Sequence, residues 1–326
     1  MKILFSADWH VKLTAKKVPK DWQKNRYSML VSYLIKLYKE HSCDALVIGG
    51  DFYDSASPTT EETGFGQVLL AELMEGCGGE LIIYPGNHEI PPKTLGKSIL
   101  ADLIEPLKKS WKITLVEQFQ SFDGFDVIPY TVLKNSKSWD KKNPIVFTHV
   151  RGNIGTLVDS EIPLENLSPW EMVIAGDLHD TKMSQLNILY PGSPVNTSFT
   201  RNERESGTCG VFIIDTVEKT AEWVDLAHLP QLIRKTVSNK SEIVKTDYDH
   251  TVYELEGDLA QLKQVDDNPL LDKTINVAKR TDAAIDMSGL STTDKFIAYW
   301  SQVEKLDDEL IKSLASKVAK HAVNHN

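Results

Sequence analysis

Five short segments of the chain carry side chains that bind hard metal ions, and each follows an apolar run of strand-like composition. In chain order they are Asp8-Trp9-His10, Gly50-Asp51-Phe52-Tyr53-Asp54, Gly86-Asn87-His88-Glu89, Thr148-His149-Val150 and Gly176-Asp177-Leu178-His179. Four of the nine histidines fall in them. One histidine near a carboxylate says little, but five such groups, each at a strand end, point to one site assembled from several loops. Carboxylate, imidazole and amide oxygen without thiolate suit Mn²⁺, Mg²⁺ or Fe²⁺ rather than structural zinc. Two such ions, about 3.5–4 Å apart, need one bridging carboxylate; together they activate water near neutral pH and polarise a phosphoryl oxygen. The chemistry is phosphoester hydrolysis by in-line attack.

The elements that must position these groups alternate along the first two-thirds of the chain. Residues 3–7, 45–49, 81–84, 113–116, 126–129, 145–148, 172–175, 188–190, 210–215 and 221–225 read as short strands bounded by Gly, Pro, Asp or Asn. Helices are expected over about 22–40, where Leu30, Tyr33, Leu34 and Leu37 share a face, and over about 61–75. Strands alternating with helices give an α/β domain whose sites gather at the strand carboxyl ends. Near residue 230 the pattern changes. "HLPQLIRKT" reads as a linker or the first element of something new, and "HTVYELEGD" as a strand and turn. The expected organisation is a main domain over 1–229, a small α/β cap over 230–285 and terminal helices over 286–326. On those helices Phe296, Ile297, Trp300 and Val303 form one apolar stripe, and Leu306, Leu310, Ile311, Leu314 and Val318 another. The stripes must be buried against their own domain or against a partner.

At 41% hydrophobic and 25% charged residues the composition is that of an ordinary globular protein. No window approaches the roughly 20 apolar residues of a membrane span. The chain opens on a strand-like run with no visible signal peptide, and Cys43, Cys77 and Cys209 lack metal-type spacing, so a reducing cytoplasm is expected. A net charge of −10 argues against broad electrostatic attraction to nucleic acid. Any positive charge that meets DNA must be local, metal-borne or supplied by a partner. Local clusters exist: Lys12, Lys16, Lys17, Lys20, Lys24 and Arg26 directly after His10; Lys134, Lys137, Lys141 and Lys142; and Arg201 with Arg204. Each either solvates a surface or contacts a sugar-phosphate backbone without reading sequence. "PPKTLGKS" ends like a phosphate-binding loop, but Pro91 stands where the first Gly is required.

The order DxH, GDxxD, GNHE, lone His, GxxH resembles the calcineurin-like metallophosphoesterase superfamily. "ILYPGSPVNTSF" and "CGVFIID" look like the SbcD-type DNA nucleases, which work with an SbcC-type ABC ATPase. "FTHVRG", "VIAGDLH" and "LPQLIRKT" are similar to the compact version encoded by T5-like tailed phages. The resemblance covers about 1–230 well and the remainder loosely. It implies a two-sheet αββα sandwich with a small α/β capping domain and C-terminal helices. It also implies two Mn²⁺ ions, with Mg²⁺ as a substitute. Carried over by position, Asp8, His10 and His179 match ligands of the first ion, Asp51 the bridge, and Asn87 and His149 ligands of the second. His88 matches the non-ligand histidine facing the scissile phosphate, and Asp54 the acid that orients it; Asp54 also reads as a turn-capping residue.

Asp177 departs from the pattern, which has Gly-His-x-His where this chain has Gly-Asp-Leu-His. It is either a direct or water-mediated ligand of the second ion, or the mark of a damaged second site. The expected activity is metal-dependent cleavage of DNA, exonucleolytic at duplex ends and endonucleolytic on single strands. Lys12, Lys16, Lys17, Lys20, Arg201 and Arg204 would lie along the DNA. The expected partners are an SbcC-type ATPase and a second copy of the chain, in the host cytoplasm if the chain is phage-encoded. The rival readings are a phosphoesterase for small diesters or phosphoproteins, which the same motifs would serve, and a non-catalytic scaffold, for which Asp177 alone speaks.

Overall fold

The computed structural model describes residues 1–91, 97–155, 158–201, 207–244, 246, 248–257, 271–275, 292–302 and 305–323. The first nine strands are β1 (Lys2–Ser6), β2 (Ala45–Gly49), β3 (Glu80–Tyr84), β4 (Ile113–Leu115), β5 (Gln120–Ser121), β6 (Phe125–Ile128), β7 (Ile145–His149), β8 (Met172–Gly176) and β9 (Ile188–Leu189). They are followed by β10 (Thr200–Arg201), β11 (Gly210–Asp215), β12 (Thr220–Asp225), β13 (Leu232–Val237), β14 (His250–Gly257) and β15 (Leu271–Ile275). Helices α1 (Lys20–Glu40), α2 (Thr60–Cys77) and α3 (Leu100–Ile104) lie between the early strands.

One six-stranded sheet runs β12-β11-β1-β2-β3-β4, and a five-stranded sheet runs β5-β6-β7-β8-β9. Strands β1 to β4 are parallel, with β11 added antiparallel to β1 from Lys2↔Asp215 to Phe5↔Phe212. Strands β6 to β9 are likewise parallel. Both faces of the first sheet are covered, which is why its strands read as unbroken apolar runs. Alternation sorts them: Leu4, Leu46, Ile48, Leu81 and Ile83 pack under Leu30, Leu34, Leu69 and Leu73 of the two long helices. Ile3, Phe5, Val47, Ile82 and Tyr84 face Phe125, Val127, Phe147 and Ile174 of the second sheet. There Phe5 stacks on Phe147 at 5.4 Å.

The expected two-sheet sandwich is therefore present. Over the outer face of the second sheet the covering layer is not a long helix. A 3-10 turn, Leu164–Leu167, and Trp170 close over Val146, Val173 and Ile188. Pro163 and Pro169 bracket that turn, and each restricts the backbone needed to extend it.

Helix α1 carries Tyr27, whose hydroxyl lies 2.9 and 2.8 Å from the carbonyl oxygens of Trp9 and His10. Helix α2 opens with a capping box: Thr59 Oγ1 accepts from Glu62 N at 3.2 Å, and Glu62 Oε2 accepts from Thr59 N at 2.9 Å. The second oxygen of Glu62 accepts from Leu13 N at 2.7 Å. Both helices thus clamp the loop that begins with the first candidate ligands.

A third sheet runs β10-β13-β14-β15. By compactness the chain divides into a unit of Met1–Thr236, Ser241–Glu254 and Asn268–Asp272, and a unit of Val237–Lys240, Leu255–Asp267 and Lys273–Asn326. The second unit contains α4 (Thr292–Gln302) and α5 (Asp308–Val323), which pack on each other. Asp307 Oδ1 accepts from Leu310 N at 2.9 Å at the start of α5. Ile311 is buried, whereas Leu310 and Tyr299 are exposed. Much of the expected cap, residues 258–270 and 276–285, lies outside the described residues, as does Val303. No described helix is long and apolar enough to cross a membrane.

Candidate metal centre

The carboxyl ends of five parallel strands supply the candidate ligands: β1 leads to Asp8 and His10, β2 to Asp51, β3 to Asn87 and His88, β7 ends on His149, and β8 leads to Asp177 and His179. The loops turn back at once, through left-handed backbone. Asp8 (φ 58°), His10 (47°), Asp51 (50°) and Asp177 (96°) all have positive φ. A non-glycine residue there costs on the order of 1–2 kcal/mol, and such strain gathers where function holds it. Backbone bonds zip the first two loops together: Asp8 N to Gly50 O at 3.1 Å, His10 N to Asp51 O at 2.9 Å and Val11 N to Phe52 O at 2.8 Å.

The imidazoles are anchored through Nδ1 and point Nε2 inward. His149 Nδ1 lies 2.9 Å from Gly49 O, and His88 Nδ1 lies 2.7 Å from Asp54 O. A ring nitrogen facing a carbonyl carries the proton, so the opposite nitrogen offers a lone pair. His149 Nε2 lies 3.4 Å from Asp51 Oδ2 and 3.8 Å from Asp177 Oδ1. His10 Nε2 lies 3.6 Å from Asp51 Oδ2 and 3.0 Å from His179 Nε2, which in turn is 3.7 Å from Asp8 Oδ1. His179 Nδ1 is backed by Thr197 Oγ1 at 3.3 Å. Asn87 places its amide 3.0 Å from His149 Nε2. With its nitrogen inward it donates to both Asp51 oxygens at 3.0 and 3.2 Å. With its oxygen inward it offers a hard donor to a cation.

Three overlapping groups have donor atoms within 4.8 Å of one another: Asp8, His10 and His179; His10, Asp51 and His88; Asp8, Asp51 and His149. Asp51 is shared by two of them and Asp8 by two. Asp177 joins none, but its amide donates to Asp8 at 3.0 Å, so its carboxylate stands at the rim beside His149.

Electrostatics explain why so many acceptors converge. Burial pushes the Asp8 carboxyl well above its usual range, and the charges of Asp51 and Asp177 add to that, opposed by His149. Burial depresses His10 to about 3 and His179 to about 4, holding both neutral. Burial disfavours a charged His149, yet Asp51, Asp8 and Asp177 carry its pKa well above 6.5. Burial would raise Asp51 too, but His149, His10 and His88 bring it below the usual carboxylate range. Without metal, then, one imidazolium offsets the buried carboxylates. Carboxylates and imidazoles gathered around Asp51 and Asp8 have the donor chemistry to hold divalent metal.

Sequence reasoning passed over Glu89 as a site residue. It is fully buried, and its carboxylate accepts from Asp51 N at 3.0 Å, Gly86 N at 2.8 Å and Tyr53 N at 2.8 Å. Burial and the charge of Asp51 lift it to about 7 against those N–H groups. Ser193, whose hydroxyl lies 2.6 Å from Asp8 O, was also missed. Glu89 was visible inside the GNHE segment; Ser193 had no local signal beyond its turn composition.

Two expectations change. Asp54 was expected to orient His88 through its carboxylate, but it does so through its backbone carbonyl. Its carboxylate instead pairs with Lys12 Nζ at 2.6 Å and approaches His10 Nδ1 at 3.6 Å. Three of the six cations in the basic run after His10 are neutralised by acids distant in sequence, and Arg26 is buried with Nη1 3.1 Å from Asn196 O. Besides Lys12, Lys20 and Lys24 both reach Glu61, at 2.6 and 2.8 Å. Lys16 is exposed, and Lys17 Nζ lies 3.4 Å from Leu271 O. Arg201 sits on β10, and Arg204 lies outside the described residues.

Residues 1–180 match the family described as calcineurin-like phosphoesterase, and the chain belongs to that family. It is thus a metal-dependent phosphoesterase. Among relatives, "Probable exonuclease subunit 1" of Escherichia phage T5 is 40% identical over 334 residues, covering 100% of both chains. The SbcD component of the SbcCD nuclease from Staphylococcus epidermidis is 35% identical over 99 residues, 27% of this chain and 23% of that protein. Its namesake from Escherichia coli K12 is 24% identical over 90 residues, 27% of this chain and 21% of that protein.

Proposed function

We propose that the chain is a DNA nuclease subunit of the SbcD type, cutting phosphodiester bonds at duplex ends and in single strands with two Mn²⁺ ions, which Mg²⁺ can replace. The observation that carries this reading is the convergence of Asp8, His10, Asn87 and His149 on Asp51, with His179 set against Asp8 and His10. The phage relative named as an exonuclease subunit, alike over its whole length, supports DNA as the substrate.

In this reading Asp177 completes the second ion's ligands, directly or through water, and its carboxylate takes the place of the family's imidazole. The bound ions supply Lewis acidity and an activated water. The chain's own residues do the rest. The ligands fix the site against β1, β2, β3, β7 and β8. His88, 40% exposed with Nε2 3.9 Å from Asp51 Oδ2, faces the cleft. Held with Nδ1 on Asp54 O, it would deliver a proton from Nε2 to the leaving oxygen.

Residues 230–285 serve as a cap over DNA, and 286–326 dock an SbcC-type ATPase, with two copies of each protein in the assembly. The names of the SbcCD relatives support the partner. The exposed Leu310 and Tyr299 on the terminal helices suit such docking. The setting is the cytoplasm of the infected host.

The test is cleavage of end-labelled linear and circular DNA with Mn²⁺ and with Mg²⁺, with metal counted per chain. Asp8→Ala and His149→Ala should each lower cleavage of a linear duplex by at least about a thousandfold. Undiminished cleavage by either variant would remove the assignment. One ion or none per chain would favour the scaffold reading.

A further inference from the structure

We propose that Arg151 is a substrate-binding residue whose guanidinium takes the phosphate next to the scissile one on the DNA strand. The inference rests on the nuclease reading above and names a contact that the ligand motifs do not supply. Arg151 follows His149 by two residues, where β7 leaves the sheet. Its backbone N–H donates to Glu161 Oε2 at 3.3 Å. Its side chain is 37% exposed and, among the described residues, comes no nearer to an acid than 3.8 Å, from Nη2 to Glu161 Oε1. That oxygen already accepts the Tyr130 hydroxyl at 2.9 Å. The Nε–H of Arg151 is enclosed and has no hydrogen-bond partner among the described residues.

A guanidinium carries five N–H donors in a fixed fork. Among the described residues those of Arg151 meet no acceptor within hydrogen-bonding distance. This contrasts with Lys12, Lys20 and Lys24, which end in ion pairs of 2.6 to 2.8 Å. In a chain of net charge −10, an arginine whose nearest described acid is 3.8 Å away, near the candidate metal ligands, is a cation open to an incoming anion.

Its position selects which anion. Glu161, beside Arg151 at 3.8 Å, accepts the Tyr130 hydroxyl, and the Tyr130 ring packs edge-on to His149 at 6.2 Å. Arg151 therefore stands on the His149 side of the site, yet within 4.0 Å of no candidate ligand carboxylate. The scissile phosphate would be held by metal bound at the candidate ligands, near Asn87 and His88. The fork, at the rim, suits the neighbouring phosphate of the same strand, which it can engage through two parallel N–H bonds. It also offsets the extra negative charge that Asp177 brings to this side.

The experiment compares the intact parent chain, R151Q and R151K with Mn²⁺ on two substrates. One is a labelled single strand; the other is bis(4-nitrophenyl) phosphate, which has no neighbouring phosphate. R151Q should lose about tenfold in kcat/KM on DNA, mainly through KM, as expected for a removed phosphate contact. That loss should exceed the loss on the small diester by at least about fivefold. The slope of log(kcat/KM) against log salt should flatten by about 0.7, the share of one phosphate on a single strand. R151K keeps the charge without the fork, so its salt slope should return while KM stays raised. Equal losses on both substrates, or a parental salt slope in R151Q, would overturn the proposal. Should R151Q melt below the assay temperature, a parental KM in R151K would do the same. A parent that hydrolyses the small diester but neither binds nor cuts DNA would remove the nuclease reading, and Arg151's role with it. If the parent and R151Q cut DNA equally well, only the role of Arg151 falls.

Discussion

His88 and Asp54 show how a residue's type and its use can part. The aspartate three positions after Asp51 sits where the family resemblance implies an orienting acid, and the histidine is held there by a carbonyl at 2.7 Å. A carbonyl comes with any residue at position 54, so the anchor does not depend on the aspartate side chain. The carboxylate instead bonds Lys12 and faces His10. Asp54→Ala should therefore reduce kcat less than tenfold, whereas His88→Ala should reduce it by about 10²–10⁴, the range for a lost general acid. Steady-state rates on one DNA substrate decide this. Equal losses would mean that the carboxylate itself orients the ring.

At the scale of the element, the site is a set of loop starts that must hold one arrangement against their own backbone strain. Glu89 joins two of these loops through three backbone N–H groups. Gly86 allows the third loop to press on the second, since a Cβ there would collide with the Asp51 backbone and carboxylate and the His149 ring. Glu89→Gln keeps the volume but puts an NH₂ group against one of those N–H donors. It should cost about 1–3 kcal/mol of stability through an unpaired buried donor. It should also weaken metal binding by about 10–100-fold, as for groups that orient ligands. Denaturant unfolding and metal titration measure the two effects. A variant that keeps full metal affinity would show that the loops hold their shape without Glu89.

For the whole molecule, the buried charge makes stability depend jointly on pH and metal. Between pH 4.5 and 6.5 two effects oppose. His10 and His179, held down at about 3 and about 4, stay neutral while the unfolded chain protonates them, so stability rises with pH. Glu89, lifted to about 7, and Asp8, also raised, keep protons that the unfolded chain has lost, so stability falls with pH. Above pH 6.5 the two histidines contribute no further change. Only the groups with raised folded pKa remain, with His149 now among them. The metal-free chain should lose stability from pH 6.5 upward. Divalent ions replace those protons, so the rise in Tm from EDTA to Mn²⁺ should be larger at about pH 8 than at about pH 6. Thermal melts at both values check this; a metal-induced shift independent of pH would count against proton displacement.

What the sequence determined by itself was local: short unbroken apolar runs that became β1 to β4 and β6 to β8, the 3.6-residue face of α1, and the candidate ligand types after the strand ends. Those follow from backbone periodicity and donor chemistry within a few residues. The edge strands β5 and β10, at two residues each, left no such pattern. Only the tertiary structure decided which acid meets which base. Lys12 with Asp54, Lys20 with Glu61 and Glu89 with the amides of Asp51 and Tyr53 join residues some forty positions apart. An ion pair or buried hydrogen bond depends on distances of a few ångströms, which composition along a chain does not fix. That is why the candidate ligand types could be picked out along the chain and the neutralised lysines could not.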